Sequence, residues 1–318
     1  MKIFLSIKSG FFRSLKAWKG IIVFWVISFI MVSFLTVPLK ASLKAAFGNS
    51  MVIEKLMDGI NVDVIGDLGK NLQSIASSLF SGIILLSLVT ILINVFITGG
   101  LFDSLKAGSG RFTSENFFRA SAKNFWSFLV ISGILYLIII LLIIIVIVVP
   151  VSVAGKAESA PEGIVFKTLC ITFSIFLLAM SLILLAADYA RAWQASREQN
   201  ACFRALGFGF SQTFRTFLSS FPLIIILLIL QALPAWGLIK LIAGYTPDTG
   251  GGIFLLFIIS QLIIVLKIFL KVLRFGSITS LMEQNFLKVP VLNEDPVKAD
   301  QEYYEDIPTE LNAETDVR

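Results

Sequence analysis

The chain contains no histidine and only two cysteines, Cys170 and Cys202. Without histidine, the commonest general base at neutral pH and the commonest metal ligand are both missing. Cys170 falls inside an apolar run and Cys202 in a basic connector, so the two imply no disulfide framework. The sequence also lacks a G-x-x-x-x-G-K-[ST] phosphate loop, metal-ligand spacings and a G-x-S-x-G elbow, and with them the signatures of an ATPase, a metalloenzyme and a standard serine hydrolase. These absences point away from an enzyme, and no cofactor is expected. Charge is scarce as well. Charged residues make up 15% of the chain against 57% hydrophobic, and the mean hydropathy is +0.89, a balance that no soluble surface of this size tolerates.

What is present is a series of apolar runs long enough to cross about 30 Å of hydrocarbon as helix, without the alternation of a transmembrane barrel. The expected fold class is all-α, a polytopic membrane protein with six transmembrane helices and cytoplasmic interfacial amphipathic helices. Spans are expected at residues 20–38, 75–98, 125–149, 166–187, 218–241 and 253–275. The third is the clearest, because residues 125–149 carry no charge and reach about 37 Å as helix.

The connecting segments have their own patterns. Residues 1–19 carry Lys2, Lys8, Arg13, Lys16 and Lys19 while Ile7, Phe11, Leu15 and Trp18 recur at helical spacing, the signature of an amphipathic helix lying on a membrane surface. No clean small-x-small cleavage site follows Val37-Pro38, so an uncleaved first span is expected there. Met51, Ile53, Leu56, Met57 and Ile60 suggest a short half-buried helix in the following loop, stopped at Gly59. Gly99-Gly100 is expected to break the second span's helix. Thr113-Ser114-Glu115 marks a new helix start, and Pro150 closes the third span. Phe203, Leu206, Phe210, Phe214 and Phe217 fall on one helical face, predicting a second interfacial helix before a span that contains Pro222 and Pro234.

Charge is unevenly distributed. The formal net charge is +5, yet residues 294–318 hold nine acids against Lys298 and Arg318, so the rest of the chain is strongly basic. The basic residues sit at span ends, where they contact anionic lipid and set orientation; no nucleic-acid partner is implied. With both termini in the cytoplasm, the inner segments outside the tail hold seventeen basic residues and the outer segments seven. That bias, with an even number of spans, predicts a multi-pass protein with both ends cytoplasmic. Residues 276–318 are expected to form an acidic, disordered cytoplasmic tail.

Phe12-Arg13, Phe118-Arg119 and Phe203-Arg204 each precede a pair of spans, as three units of interfacial helix plus hairpin would. The intervals are unequal and Phe-Arg recurs at Phe214-Arg215, so the pattern leaves both repeat and coincidence open. The Gly99-Gly100-Leu101 turn, the Phe-rich segment to Phe125-Trp126, and Ala187-Asp188-Tyr189-Ala190-Arg191 resemble a diffuse group of uncharacterised bacterial six-span membrane proteins. These are similar to the membrane domain fused to some glycerophosphodiester phosphodiesterases. The resemblance covers most of the spans and implies a bacterial inner membrane. It implies no enzymatic activity, because no phosphodiesterase catalytic domain is present.

Asp188 ends the fourth apolar run and stands three residues before Arg191, on one helical face. An ion pair is expected there, structural or gating, with Lys267, Lys271 or Arg274 of the last span as a second cation. Lys267 is also placed to snorkel toward the interface. Asn94, Gln231 and Gln261 are the polar residues deepest in the spans, suited to interhelical hydrogen bonds or to lining a pathway. Two functions are compatible with these features: a noncatalytic membrane subunit or scaffold whose cytoplasmic helices and tail engage lipid and other protein subunits, or a permease-type transporter subunit that needs a separate ATPase.

Overall fold

The computed structural model describes residues 2–47, 69–108, 112–155, 163–197, 201–244 and 249–286. The short helix expected at residues 51–60, and the tail beyond residue 286, lie outside the described residues. The elements are α1 (Lys2–Lys16), α2 (Trp18–Phe47), α3 (Gly69–Ser104), α4 (Ser114–Ile143), a π-helical turn (Ile144–Val148), α5 (Val149–Gly155), α6 (Ile164–Ser196), α7 (Cys202–Arg215), α8 (Phe217–Gly244) and α9 (Gly250–Phe286). No strand occurs among the described residues. The all-α polytopic reading holds. Five stretches are long and apolar enough to cross a membrane on their own, and the bent pair α1–α2 raises the number to six if it is one span.

The expected amphipathic helix is α1. It meets α2 at a bend of 68° around Ala17, whose amide donates to Arg13 O and whose carbonyl accepts from Gly20 N, so the backbone stays hydrogen-bonded through the turn. Thr113 caps α4 as its spacing predicts, with extended backbone and its hydroxyl accepting from Asn116 N at 3.3 Å.

Four expected boundaries are corrected. α2 runs through Pro38 to Phe47, α3 through Gly99-Gly100 to Ser104, the α4–α5 rod through Pro150 to Gly155, and α9 past Phe275 to Phe286. For Pro150 the physical reason is that inside hydrocarbon a broken helix strands backbone groups that nothing else can satisfy. At Pro150 the ring would meet the carbonyl four residues earlier. The wider π-helical turn immediately before it, in which Val149 N donates to Ile144 O, accommodates the ring without ending the rod.

Several glycines serve close approach. A Cβ on Gly100 would lie 2.8 Å from Phe117 O, and one on Gly99 3.3 Å from Ser121 Cα, so α3 and the start of α4 pack backbone to backbone. Gly209 brings α7 equally close to Ala186 and Ala190 of α6. Gly10 of α1 meets Gly276 and Ser277 of α9, where an added Cβ would fall 2.6 Å from Ser277 N.

These three junctions define a ring. Taking α1–α2–α3, α4–α5–α6 and α7–α8–α9 as units, each amphipathic segment packs on the outgoing span of the unit before it, and α1 closes the circle on α9. Each incoming span touches its own outgoing span and that of the preceding unit, while α3, α6 and α9 touch one another at the centre. The three-unit organisation is therefore present in the contacts. The shared feature is a small-residue seam rather than the Phe-Arg pairs, whose offsets from Gly10, Ser121 and Gly209 all differ.

In α7 the expected apolar face is divided. Leu206 is buried with Ala205, Gly209, Gln212 and Thr213 against the bundle, whereas Phe203 and Phe214 point outward. α1 behaves alike: Ser6, Gly10, Ser14 and Ala17 are buried, and Phe4, Phe11, Phe12 and Leu15 are exposed. Small residues make the helix–helix seam, and phenylalanines are left for the lipid interface.

Candidate functional site

The centre of the ring is charged. Asp188 of α6 is wholly buried, and Arg274 of α9 places Nε 2.8 Å from its Oδ2. Arg191, one helical turn on from Asp188, holds Nη1 3.7 Å from Oδ1 and donates its other terminal nitrogen to Ser132 Oγ of α4 at 3.0 Å. Both contacts are ion pairs outside hydrogen-bonding geometry, since neither carboxylate oxygen receives an aligned donor. Arg274 is thus the closer partner, and Arg191 divides itself between Asp188 and a neighbouring span.

Amides extend the cluster. Arg274 Nη1 reaches Gln231 Oε1 of α8 at 3.4 Å, and Gln231 Nε2 donates to Leu270 O at 3.2 Å, fixing α8 on α9. Lys271 donates to Asn94 Oδ1 of α3 at 3.0 Å and rests over the Phe24 ring of α2 at 4.8 Å. Side chains of α2, α3, α4, α6, α8 and α9 converge there: the Phe24 ring, Asn94, Ser132, Asp188 with Arg191, Gln231, and Lys271 with Arg274. Of the residues singled out in the sequence, the structure unites Asp188, Arg191, Lys271, Arg274, Asn94 and Gln231.

Two stand apart. Lys267 is exposed, and the ion pairs of Asp188 go to Arg191 and Arg274 instead. Gln261 lies deeper in the bundle and accepts from Trp25 Nε1 at 3.1 Å. It lines an apolar groove of about 430 Å³ between α2 and α9, with Trp25, Ser28, Phe29, Phe257 and Ile264. Ser28 directs its hydroxyl back to Phe24 O, so it offers the groove no free donor.

The charges in the central cluster do not balance. The described residues include four acids, Asp103, Glu115, Asp188 and Glu283. Asp103 pairs with Lys106, Glu283 with Arg13, and Glu115 is exposed near the start of α4. Among the described residues, Arg191, Lys271 and Arg274 therefore share one carboxylate, where burial makes an unpaired cation expensive. Among the described residues no group of histidine, cysteine and acids could hold a metal ion.

A second buried pair was not foreseen. Glu283 is nearly inaccessible, lies 2.6 Å from Arg13 Nη1 and accepts from Ala107 N at 2.9 Å. The same Arg13 nitrogen donates to Leu105 O. One acid thereby joins the C-terminal ends of α1, α3 and α9. The signal existed in the sequence: Phe275, Ile278, Leu281 and Met282 continue the helical period past Arg274 and carry Glu283 with them. Comparison with protein-family models, curated proteins and solved structures finds no match for this chain.

Proposed function

We propose that the protein is a noncatalytic integral membrane subunit or scaffold, resident in a bacterial inner membrane with both termini cytoplasmic. The supporting observation is the collar formed by α1, the start of α4, and α7. Its small faces are committed to the bundle, while its outer faces present phenylalanine beside exposed Lys8, Lys16, Arg119, Lys123, Arg204 and Arg215. Such a surface suits anionic lipid together with a partner protein docked at the cytoplasmic interface. The bacterial setting rests on the family resemblance, and the orientation on the bias of basic residues.

A photo-crosslinking residue at Phe203 or Phe214, in native membranes, tests this directly. A discrete, saturable protein adduct supports the scaffold. Adducts with lipid alone contradict it. The excess positive charge among the inner spans favours a second reading, a permease-type subunit for an anion, and co-purification of an ATPase through the crosslink would decide for that role.

A further inference from the structure

We propose that the groove between α2 and α9 is a binding site for a membrane-dissolved quinone, its flat ring lying against Trp25, Phe29 and Phe257 and one ring carbonyl accepting from Gln261. The inference does not depend on the scaffold role. Three observations carry it. First, the groove keeps an unspent donor. Trp25 Nε1 donates to Gln261 Oε1, and because an indole nitrogen can only donate, this contact fixes which end of the amide faces Trp25. Ser28 and Ser33 turn their hydroxyls back to Phe24 O and Phe29 O. Gln261 Nε2 is left without an acceptor among the described residues, at a surface where lipid, not water, is the solvent.

Second, the depth selects a ligand that dissolves in hydrocarbon. Phe29 lies midway between Lys19 and Lys40 in sequence, about 15 Å from each at a helical rise. Gln261 stands about 12 Å past Ile253, where the apolar run of α9 begins, and about 9 Å short of Lys267, where it ends. Within roughly 30 Å of hydrocarbon, the groove therefore opens in the bilayer interior. Phospholipid ester carbonyls stay at the boundary beside their headgroups, and a neighbouring helix commits its backbone carbonyls to its own turns. A quinone brings carbonyl acceptors into the interior with no charge and no donor of its own. Third, the walls are aromatic. Trp25 and Phe29 stack with centroids 6.0 Å apart, Phe257 meets Phe29 edge-on at 6.3 Å, and all three line a volume of about 430 Å³, within the size range of small-molecule sites. Phe29 and Phe257 are also exposed, which leaves ring surface for a conjugated ligand to pack on. The other groove on α9, against Lys240 and Leu241 of α8, has neither an aromatic ring nor an amide side chain among its described lining residues.

The test is photolabelling of the full chain in nanodiscs with an azidoquinone, the labelled peptides being identified by mass spectrometry. Labelling should saturate and fall on residues 25–33 and 257–264. Decylubiquinone, a benzoquinone with a decyl tail, should suppress it, whereas decylbenzene, with the same tail and no carbonyl, should not. Val32→Phe, at the groove's exposed rim, should raise the half-saturating concentration roughly tenfold. Gln261→Leu, which removes one hydrogen bond to the ligand, should raise it roughly fivefold. Leu255→Phe, in the other groove, should leave it unchanged. Labelling that does not saturate in the groove, equal suppression by decylbenzene, or wild-type half-saturation in both Val32→Phe and Gln261→Leu overturns the proposal. Groove residues left unlabelled because a co-purifying polypeptide covers them assign the groove to a partner helix and refute the quinone. Gln261→Leu also takes the acceptor from Trp25, so if that variant fails to fold, Val32→Phe and the decylbenzene comparison decide.

Discussion

Arg13 and Glu283 stand near opposite ends of the described chain, yet their charged atoms are 2.6 Å apart. Around them α1, α3 and α9 are sewn together, because Glu283 also takes the amide of Ala107 and Arg13 also donates to Leu105 O. This contact closes the ring of three units on the side where the amphipathic helices gather. Removing one partner strands the other among buried groups, so Arg13→Ala or Glu283→Ala should cost on the order of 3 kcal/mol. Hydrogen exchange should show α1 as the first element to lose protection. Unchanged protection of α1 in both variants would mean that the small-residue seam holds it without the pair.

Two glycines in α7 separate close packing from helix propensity. A Cβ on Gly209 would fall 3.0 Å from Ala190 Cβ, whereas one on Gly207 meets nothing within 4 Å. Gly209→Ala should therefore destabilise the protein by about 1–3 kcal/mol. Gly207→Ala should be neutral or stabilising by up to about 1 kcal/mol. Thermal unfolding of both variants in one detergent checks the contrast, and similar shifts of one sign would remove the seam's role.

The proposed orientation predicts an asymmetric labelling pattern in a chain whose own Cys170 and Cys202 have been replaced. A cysteine introduced at Asn61 should react with an impermeant reagent in intact cells. One at Asn312 should react only after permeabilisation. Equal labelling of both would reverse the reading drawn from basic residues.

Much of this architecture was legible in the sequence because burial in lipid leaves a simple trace. Uncharged runs gave the spans, Thr113 gave a helix start, and the spacing of Asp188 and Arg191 pointed to the charged centre. The ends of the helices were less legible. Glycine pairs and prolines mark helix ends in water, where the freed backbone is hydrated. In a bundle, Gly99-Gly100 instead allows α3 to touch α4, and the turn at Ile144–Val148 absorbs Pro150. Glu283 was missed because it was grouped with the acidic residues that follow it, although the apolar period of α9 had not yet ended. The choice of Arg274 over Lys267 as partner of Asp188 required the rotation of α9 about its axis, which no single helix pattern specifies.

That choice is the centre of the account, in which one buried carboxylate on α6 holds the inner spans through Arg274 and, more weakly, through Arg191. A double-mutant cycle of Asp188→Ala with Arg274→Ala, followed by thermal stability in lipid-retaining detergent, measures it most directly. Each single change should be strongly destabilising, by about 3 kcal/mol, and the double variant should recover about 1–3 kcal/mol of the summed loss. The parallel cycle with Arg191→Ala should show a smaller coupling, in keeping with its 3.7 Å separation and its second bond to Ser132. Strictly additive losses for Asp188 and Arg274 would contradict the account.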